Sequence, residues 1–308
     1  MAEGKSAVEL PPLREPSPVR GIVARAYSPR GTYWRQPFLR ADGVYVNEGD
    51  LIWTATTFDD KWQENPDEYY SELDLLKLEE VRLISTLTLP VADASGSVLF
   101  HPMPGEVLIA EPLNLMEEAA RSRISAKLRD MTKKQYDWHD YLRLPPCLGG
   151  TKPYEIRDVD LPGEFQTRMY ERIDVNDHLL IRGLNAIIRH GILRQYGMFL
   201  EEATCALHVS MEASFSLIRR RLVENGNHNP SAHDAAAWLH AAFNQEYEGG
   251  RYFEEYYDDR IRTTHPESRL GIFPFAPLAA DDCYDLYHHL REVYNLLIFG
   301  EVIERPVV

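Results

Sequence analysis

An arginine and a histidine near the end of the chain are the residues best suited to chemistry. Arg260 is followed five residues later by His265, and Pro266 comes directly after the histidine. The guanidinium of arginine is permanently charged and can hold a phosphate through two parallel hydrogen bonds. The imidazole of histidine gives and takes protons near neutral pH. This pair therefore has the minimum chemistry for cutting RNA without a metal ion.

Composition limits the partners that the chain can bind. The 308 residues are enough for one large domain or two modest ones. The formal net charge of -15 argues against a broad cationic surface, and so against non-specific binding to nucleic acid or to an anionic membrane. A local basic pocket for single-stranded RNA is compatible with this charge. We therefore expect no DNA partner and no membrane partner.

The cysteines and the N-terminus indicate the compartment. Cys147, Cys205 and Cys283 are far apart and form no Cys-x-x-Cys pair, so we expect neither a zinc site nor a disulfide framework. A reducing cytoplasm is the expected location. Residues 1–19 are rich in proline and lack an apolar segment, so we expect a flexible N-terminus that is not a signal peptide. No phosphate-binding or dinucleotide-binding glycine motif is present, and no cofactor is expected.

Residues 20–150 are predicted to form a mixed, strand-rich module of unknown role. Apolar and β-branched runs separated by turn residues are typical of strands, and runs rich in Glu, Ala, Lys and Leu are typical of helices. The predicted strands are 21–27, two strands within 43–56 around an Asn-Glu-Gly-Asp turn, 81–89, 96–100 and 106–110. The predicted helices are 67–79 and 114–134. The loop-rich stretch 145–163 is the predicted domain boundary.

Residues 164–308 are predicted to be almost entirely helical, which makes the fold class α+β. Apolar residues recur at helical spacing, and short loops between the helices favour an antiparallel bundle. Asp174 or Asn176 is the expected N-cap of the first helix, and Ser231 that of the third. The five predicted helices are 176–192, 198–223, 232–243, 252–262 and 281–299.

The helical part resembles the HEPN superfamily, and within it the Apea-like group. The resemblance covers about residues 175–303 and rests on four features in order. These are a small-x4-Met-Glu-Ala pattern at 206–213, the R-x4-H motif at 260–265, a variable loop at 266–278, and a last helix of D-x-x-Y-D-L-x-x-x-L-R-x-x-Y type at 281–294. Two positions depart from the pattern. Ile261 stands where active members often have a polar residue, and Pro266 stands where they often have glycine.

The resemblance implies a helical bundle that dimerises and cleaves RNA without a metal. Cleavage by the 2'-hydroxyl needs a base at that hydroxyl and an acid at the departing 5'-oxygen. Two copies of His265, one from each subunit, would supply both. Arg260 would hold the scissile phosphate, and Glu212 would pair with Arg260 and orient it. The resemblance also implies a role in bacterial antiphage defence or in a toxin system.

Neighbouring residues are candidates for holding the RNA strand. Tyr256 lies four residues before Arg260 on the same helical face, where its ring would stack on an unpaired base. Arg262 is about 200° around the helix from Arg260, so the two do not face one phosphate while the helix persists. Arg219 and Arg220, with the arginine that follows them, form the strongest basic cluster of an acidic chain.

Simpler interpretations compete with each of these assignments. An arginine ahead of a histidine arises by chance, the aromatic residues at 252–257 suit core or dimer packing, and the arginines at 219–221 suit a solvated helix end. The rival function is a catalytically silent HEPN-like scaffold for dimerisation or interaction, which the acidic charge and the two departures favour. A third interpretation is a ligand-sensing protein whose pocket lies in the mixed module.

Overall fold

The structure is a computed structural model that describes residues 21–27, 32–58, 76–90, 100–103, 106–111, 113–139, 155–157, 163–194, 197–243, 253 and 280–302. The strands are β1 Gly21–Tyr27, β2 Thr32–Trp34, β3 Phe38–Leu39, β4 Gly43–Asn47, β5 Ile52–Phe58, β6 Val107–Ile109 and β7 Glu155–Arg157. The helices are α1 Leu78–Thr88, α2 Glu118–His139, α3 Gly163–Arg172, α4 His178–Leu193, α5 Leu200–Glu224, α6 Ala232–Ala242 and α7 Ala280–Phe299. We call residues 21–139 the sheet region and residues 163–302 the helical region.

Five strands of the sheet region form one antiparallel sheet in the order β3-β4-β5-β1-β6. The strands β2 and β7 pair in parallel as a second, two-stranded sheet. The predicted strands at 21–27, within 43–56 and at 106–110 are confirmed as β1, β4 with β5, and β6. The turn between β4 and β5 contains Gly49 at a φ of 87°, a conformation that glycine adopts without strain.

Apolar clusters cover both faces of this sheet, which is why every residue of β1 is buried. Alternate side chains of a strand point to opposite faces. One face packs against α2 through Ile22, Ala24, Ala26, Val44, Trp53, Leu115, Ile124 and Leu128. The other face, with Tyr27, Tyr45 and Ile52, joins a larger cluster that includes α1 and continues into the helical region. The sheet therefore lies between α2 on one side and α1 on the other.

The predicted strand at 81–89 is wrong, because these residues belong to α1. Their alternation of apolar and polar residues resembles a strand, yet Val81, Ile84 and Leu87 also recur at helical spacing and are all buried. The hydroxyl groups of Thr86 and Thr88 donate to the carbonyls four residues earlier, each at 2.9 Å. Burial of one helical face outweighs the β-branched character of the segment, and the two threonine hydroxyls have their hydrogen-bond partners within the helix.

Most predicted helices of the helical region are confirmed, as α4, α5, α6 and α7. The N-cap of α4 is Asp177, whose side chain accepts from the Leu180 amide at 3.2 Å, and not Asp174 or Asn176. Phe199, the N-cap of α5, and Leu200, its first residue, are apolar yet 40% and 36% exposed. In the sheet region, the predicted helix at 114–134 is confirmed as α2.

Other predicted elements lie partly or wholly outside the described residues. Of the predicted helix at 252–262, only residue 253 is described. Residues 96–99 of one predicted strand and residues 67–75 of one predicted helix also lie outside the described residues.

One apolar core joins the two regions. Helix α1 packs against α3 and α4, and the buried cluster extends from Tyr27 in β1 to Phe299 in α7. Helices α4 and α7 approach closely at Gly183, where an added Cβ would lie 1.8 Å from the hydroxyl oxygen of Tyr294. The strand β7, which lies within the predicted boundary at 145–163, pairs with β2 of the sheet region. The boundary itself stays a prediction.

Candidate functional site

The predicted site residues divide into two groups. Arg260, His265, Tyr256 and Arg262 lie outside the described residues. Glu212, Arg219 and Arg220 all lie on α5, and all three are exposed. The structure therefore describes only the part of the candidate site that α5 contributes.

The face of α5 that carries Glu212 also contacts the start of the predicted helix at 252–262. Phe215, three residues after Glu212, packs against Phe253 with ring centres 4.9 Å apart. The ring of Phe253 is 4% exposed, so this contact is part of the core. The guanidinium of Arg219 lies 5.7 Å from the centre of the Phe215 ring. Residues spaced three or four apart share one helical face, so Glu212, Phe215 and Arg219 form one stripe on α5.

The basic cluster at the end of α5 is divided among three different contacts. The guanidinium of Arg220 pairs with the carboxylate of Asp177, the N-cap of α4, and this hydrogen-bonded pair raises the pKa of Arg220. Arg221 donates to the carbonyl of Leu297 at 2.6 Å. Only Arg219, over the Phe215 ring, has neither a carboxylate nor a carbonyl partner among the described residues. Two of the three arginines thus help to hold helices together.

A buried ion pair in the sheet region was not among the predicted site residues. Arg25, in the middle of β1, donates to the fully buried carboxylate of Glu80 on α1 at 3.0 Å and to Glu106 at 2.7 Å. The sequence signal was present, since an arginine inside the apolar strand GIVARAY requires a charged partner. Nothing in the sequence indicated which carboxylate, because Glu80 is 55 residues away.

A second polar cluster joins three elements around Arg82 of α1. Its guanidinium pairs with Asp42, which precedes β4, and with Glu79 at 2.6 Å, and it donates to the hydroxyl of Tyr170 in α3 at 2.9 Å. Burial, together with the nearby charge of Asp42, raises the pKa of Glu79 to about 7 despite the opposing effect of Arg82. With its pKa raised in this way, Glu79 carries a proton up to near-neutral pH.

A polar cleft lies beside α2 on the other side of the sheet. Glu48 of the β4–β5 turn accepts hydrogen bonds from Trp53 at 3.1 Å and from Ser125 at 2.8 Å. Arg129 donates to Glu48 at 2.5 Å and to both carboxylate oxygens of Asp50. Hydrogen bonds from Arg129 lower the pKa of Asp50. Glu48, Trp53, Ser125 and Arg129 border the cleft, whose volume is about 450 Å³.

The buried histidine of α4 has a structural role. His190 is 2% exposed, and its Nδ1 lies 2.9 Å from the carbonyl of Ala203. Its ring packs against Tyr287 of α7 with centres 5.0 Å apart. Burial lowers the pKa of His190 to about 4, so the imidazole is neutral at physiological pH. A neutral, enclosed imidazole of this kind joins α4, α5 and α7 and does not exchange protons with a substrate.

Comparison with known proteins found no matching family model, no matching curated protein and no matching solved structure. Within the described part of the chain, no group of three or more His, Cys, Asp or Glu side chains is arranged to hold a metal ion. The helices in that same part are all too short or too polar to cross a membrane.

Proposed function

We propose that the helical region is a metal-independent endoribonuclease of HEPN type, which acts as a homodimer in a cytoplasmic defence or toxin system. The observation that carries the proposal is the contact between Phe215 and Phe253. Phe253 lies seven residues before Arg260 in the sequence, and it contacts the face of α5 that carries Glu212. The first and last of the four features behind the resemblance also lie on helices, as the resemblance implies: the pattern at 206–213 on α5 and the pattern at 281–294 on α7.

In the proposed reaction, the 2'-hydroxyl of the RNA attacks the adjacent phosphorus and the 5'-oxygen departs. One His265 imidazole takes the proton of the 2'-hydroxyl, and the protonated His265 of the second subunit gives a proton to the 5'-oxygen. Arg260 stabilises the negative charge on the phosphate oxygens, and Glu212 orients Arg260. The products are one RNA end with a 2',3'-cyclic phosphate and one with a 5'-hydroxyl.

Cleavage of single-stranded RNA in the presence of EDTA tests the proposal. We expect the wild-type protein to leave 2',3'-cyclic phosphate ends, and His265→Ala to lose at least about 100-fold in rate, as is typical when a general acid or base is removed. His228→Ala is the matched control, because His228 is an exposed histidine in the loop after α5. Equal rates for the wild type and His265→Ala would contradict the proposal.

The second candidate function is a catalytically silent dimeric scaffold. The contacts of Arg220 with Asp177 and of Arg221 with Leu297 favour it, because the strongest basic cluster predicted to bind RNA is largely used to join helices. The scaffold predicts a dimer in analytical ultracentrifugation and no cleavage of RNA by the wild type. A dimer that cleaves RNA through His265 would exclude it.

A further inference from the structure

The cleft beside α2 has the volume of a small-molecule site and is open to solvent along one side. Its volume of about 450 Å³ falls within the range of roughly 300–1,000 Å³ that ligand pockets occupy. The sheet contributes Val46, Glu48 and Trp53, and α2 contributes Glu118, Arg121, Ser122, Ser125, Ala126 and Arg129. We call this set the α2 cleft. It lies in the sheet region, apart from α5 and the proposed ribonuclease site.

The carboxylate of Glu48 is held rigidly on the sheet side of the α2 cleft. Its Oε1 accepts from the indole of Trp53, and its Oε2 accepts from Ser125 and Arg129. The donors come from a strand and from a helix, so both walls fix the carboxylate. Each carboxylate oxygen can accept two hydrogen bonds, and Oε1 therefore retains capacity for a further donor. A ligand that binds here meets an acceptor that is already oriented.

The helix side of the α2 cleft adds charges of both signs. Arg121 donates through Nη1 to the carbonyls of Leu115 and Met116 at 3.0 and 2.6 Å, which anchors the guanidinium. Within the described part of the chain, both hydrogen bonds of the Arg121 guanidinium come from Nη1, so its Nε and Nη2 can still donate to a ligand. Glu118, one helical turn before Ser122, carries an exposed carboxylate.

Charges of both signs decide the class of ligand. A purely anionic ligand would meet the carboxylates of Glu48 and Glu118, and a purely cationic ligand would meet Arg121 and Arg129. Like charges in one site disfavour binding by electrostatic repulsion. A molecule that carries an ammonium group and a carboxylate can face each protein charge with its opposite.

We propose that the α2 cleft binds a zwitterionic small molecule of the amino-acid class. Its carboxylate pairs with Arg121 and with the hydroxyl of Ser122, and its ammonium group donates to Glu48 and Glu118. Ala126, beside Ser122 on α2, borders the space left for the ligand's side chain. The site does not depend on the ribonuclease activity, so either proposal can fail without the other.

Binding of each standard amino acid to the full-length protein tests this proposal. Saturation-transfer difference NMR at millimolar ligand identifies binders, and isothermal titration calorimetry measures their affinity. We expect at least one amino acid to bind, and its methyl ester, which lacks the carboxylate charge, to bind at least about tenfold more weakly. The proposal is overturned if no standard amino acid binds or if the ester binds as tightly as the parent compound.

A bulky substitution locates the site. Ala126→Trp fills the α2 cleft from an exposed position of α2 without removing a polar group. Lys127→Trp is the matched control, since Lys127 is the next residue, is exposed and does not line the cleft. We expect Lys127→Trp to bind like the wild type and Ala126→Trp to bind at least about tenfold more weakly.

A second filling variant, Ser122→Trp, provides an independent test, and circular dichroism checks that each variant is folded. Wild-type affinity in folded Ala126→Trp or Ser122→Trp would assign the binding to another place and overturn the proposal.

Discussion

Arginine side chains that link separate elements are used differently in the two regions of the molecule. In the sheet region they pair with carboxylates: Arg25 with Glu80 and Glu106, Arg82 with Asp42 and Glu79, and Arg129 with Glu48 and Asp50. In the helical region they donate mainly to main-chain carbonyls at the ends of helices. Arg291 of α7 donates to the carbonyls of Thr88 and Leu89 at the end of α1. Arg172 donates to the carbonyl of Phe299 at 2.7 Å, and Arg221 donates to that of Leu297 at 2.6 Å.

The two kinds of backbone explain this difference. Strands inside a sheet use their carbonyls to bind neighbouring strands, so Arg25 of β1 meets side-chain acceptors. Arg82 and Arg129 lie on helices and reach carboxylates in the turns that flank β4. A helix leaves its last four carbonyls without a partner inside the helix, and these attract a cation. The exposed pair of Arg220 with Asp177 is the exception in the helical region. Carboxylates gain and lose protons but carbonyls do not, so the contacts of the sheet region are the ones that pH should alter.

The largest expected effect is at the buried ion pair of β1. Arg25→Ala leaves the carboxylate of Glu80 buried without its cation, and such a loss lowers the free energy of unfolding by about 3–5 kcal/mol. Urea denaturation at pH 7 measures this change. The double variant Arg25→Met/Glu80→Met removes both charges and should recover most of the loss. A loss below about 1 kcal/mol in Arg25→Ala would contradict the importance assigned to buried arginine–carboxylate pairs.

An intermediate effect is expected at the end of α7. Arg221→Ala removes the donor to the carbonyls of Leu296 and Leu297, and a hydrogen bond from a charged group stabilises by about 1.5–3 kcal/mol. Urea denaturation should show a loss of about 2 kcal/mol that is the same at pH 5 and pH 8. Arg219→Ala is the control, because this neighbouring arginine only covers the Phe215 ring. If Arg221→Ala and Arg219→Ala lost equal amounts of unfolding free energy, the hydrogen bonds to the carbonyls of α7 would not be what stabilises the helical region.

The smallest expected effect concerns the pH dependence of the sheet region. Because the pKa of Glu79 is raised from 4.5 to about 7, its stabilising protonation is complete below pH 4.5 and is lost as pH rises through 7. Glu79→Gln mimics the protonated acid, so it should equal the wild type near pH 5. Near pH 8 it should be more stable by roughly 1–3 kcal/mol, since one pKa unit corresponds to about 1.4 kcal/mol and part of the gain is lost with the ion pair to Arg82.

Urea denaturation from pH 5 to pH 8 measures this difference for Glu79→Gln. Glu164→Gln is a suitable control, since Glu164 is exposed in the first turn of α3. A variant less stable than the wild type at pH 8 would show that the ion pair with Arg82 outweighs the burial of Glu79.

Local features of the sequence predicted much of the fold. The strand β1, the turn around Gly49 and the helix α5 follow from short patterns, and Gly226, just after α5, has the positive φ of 95° that is typical of a glycine ending a helix. The cap of α6 also follows from its own sequence, since Ser231 accepts from the amide of Asp234 at 3.2 Å. These features are predictable because the residues that form them lie within a few positions of one another.

Patterns with two solutions were not predictable in the same way. The segment that became α1 fits both a strand and a helix, and its burial against α3 and α4 decided the outcome. Asp174, Asn176 and Asp177 all have side chains that can cap a helix, and only Asp177 does so for α4. Of the candidate ribonuclease site, the described residues test only where Glu212, Arg219 and Arg220 lie.

The sequence by itself determined the order and type of most elements. It did so because hydrophobic period, turn residues and caps act over a few residues. It also supplied the residues, Arg260, His265 and Glu212, on which the proposal of a composite RNA-cleaving site rests. Only the tertiary structure decided that Arg25 meets Glu80, that Arg82 joins Asp42 to Tyr170, and that the end of α5 holds the end of α7. These partners are 40 or more residues apart, and packing of the whole core is what brings them within hydrogen-bond distance.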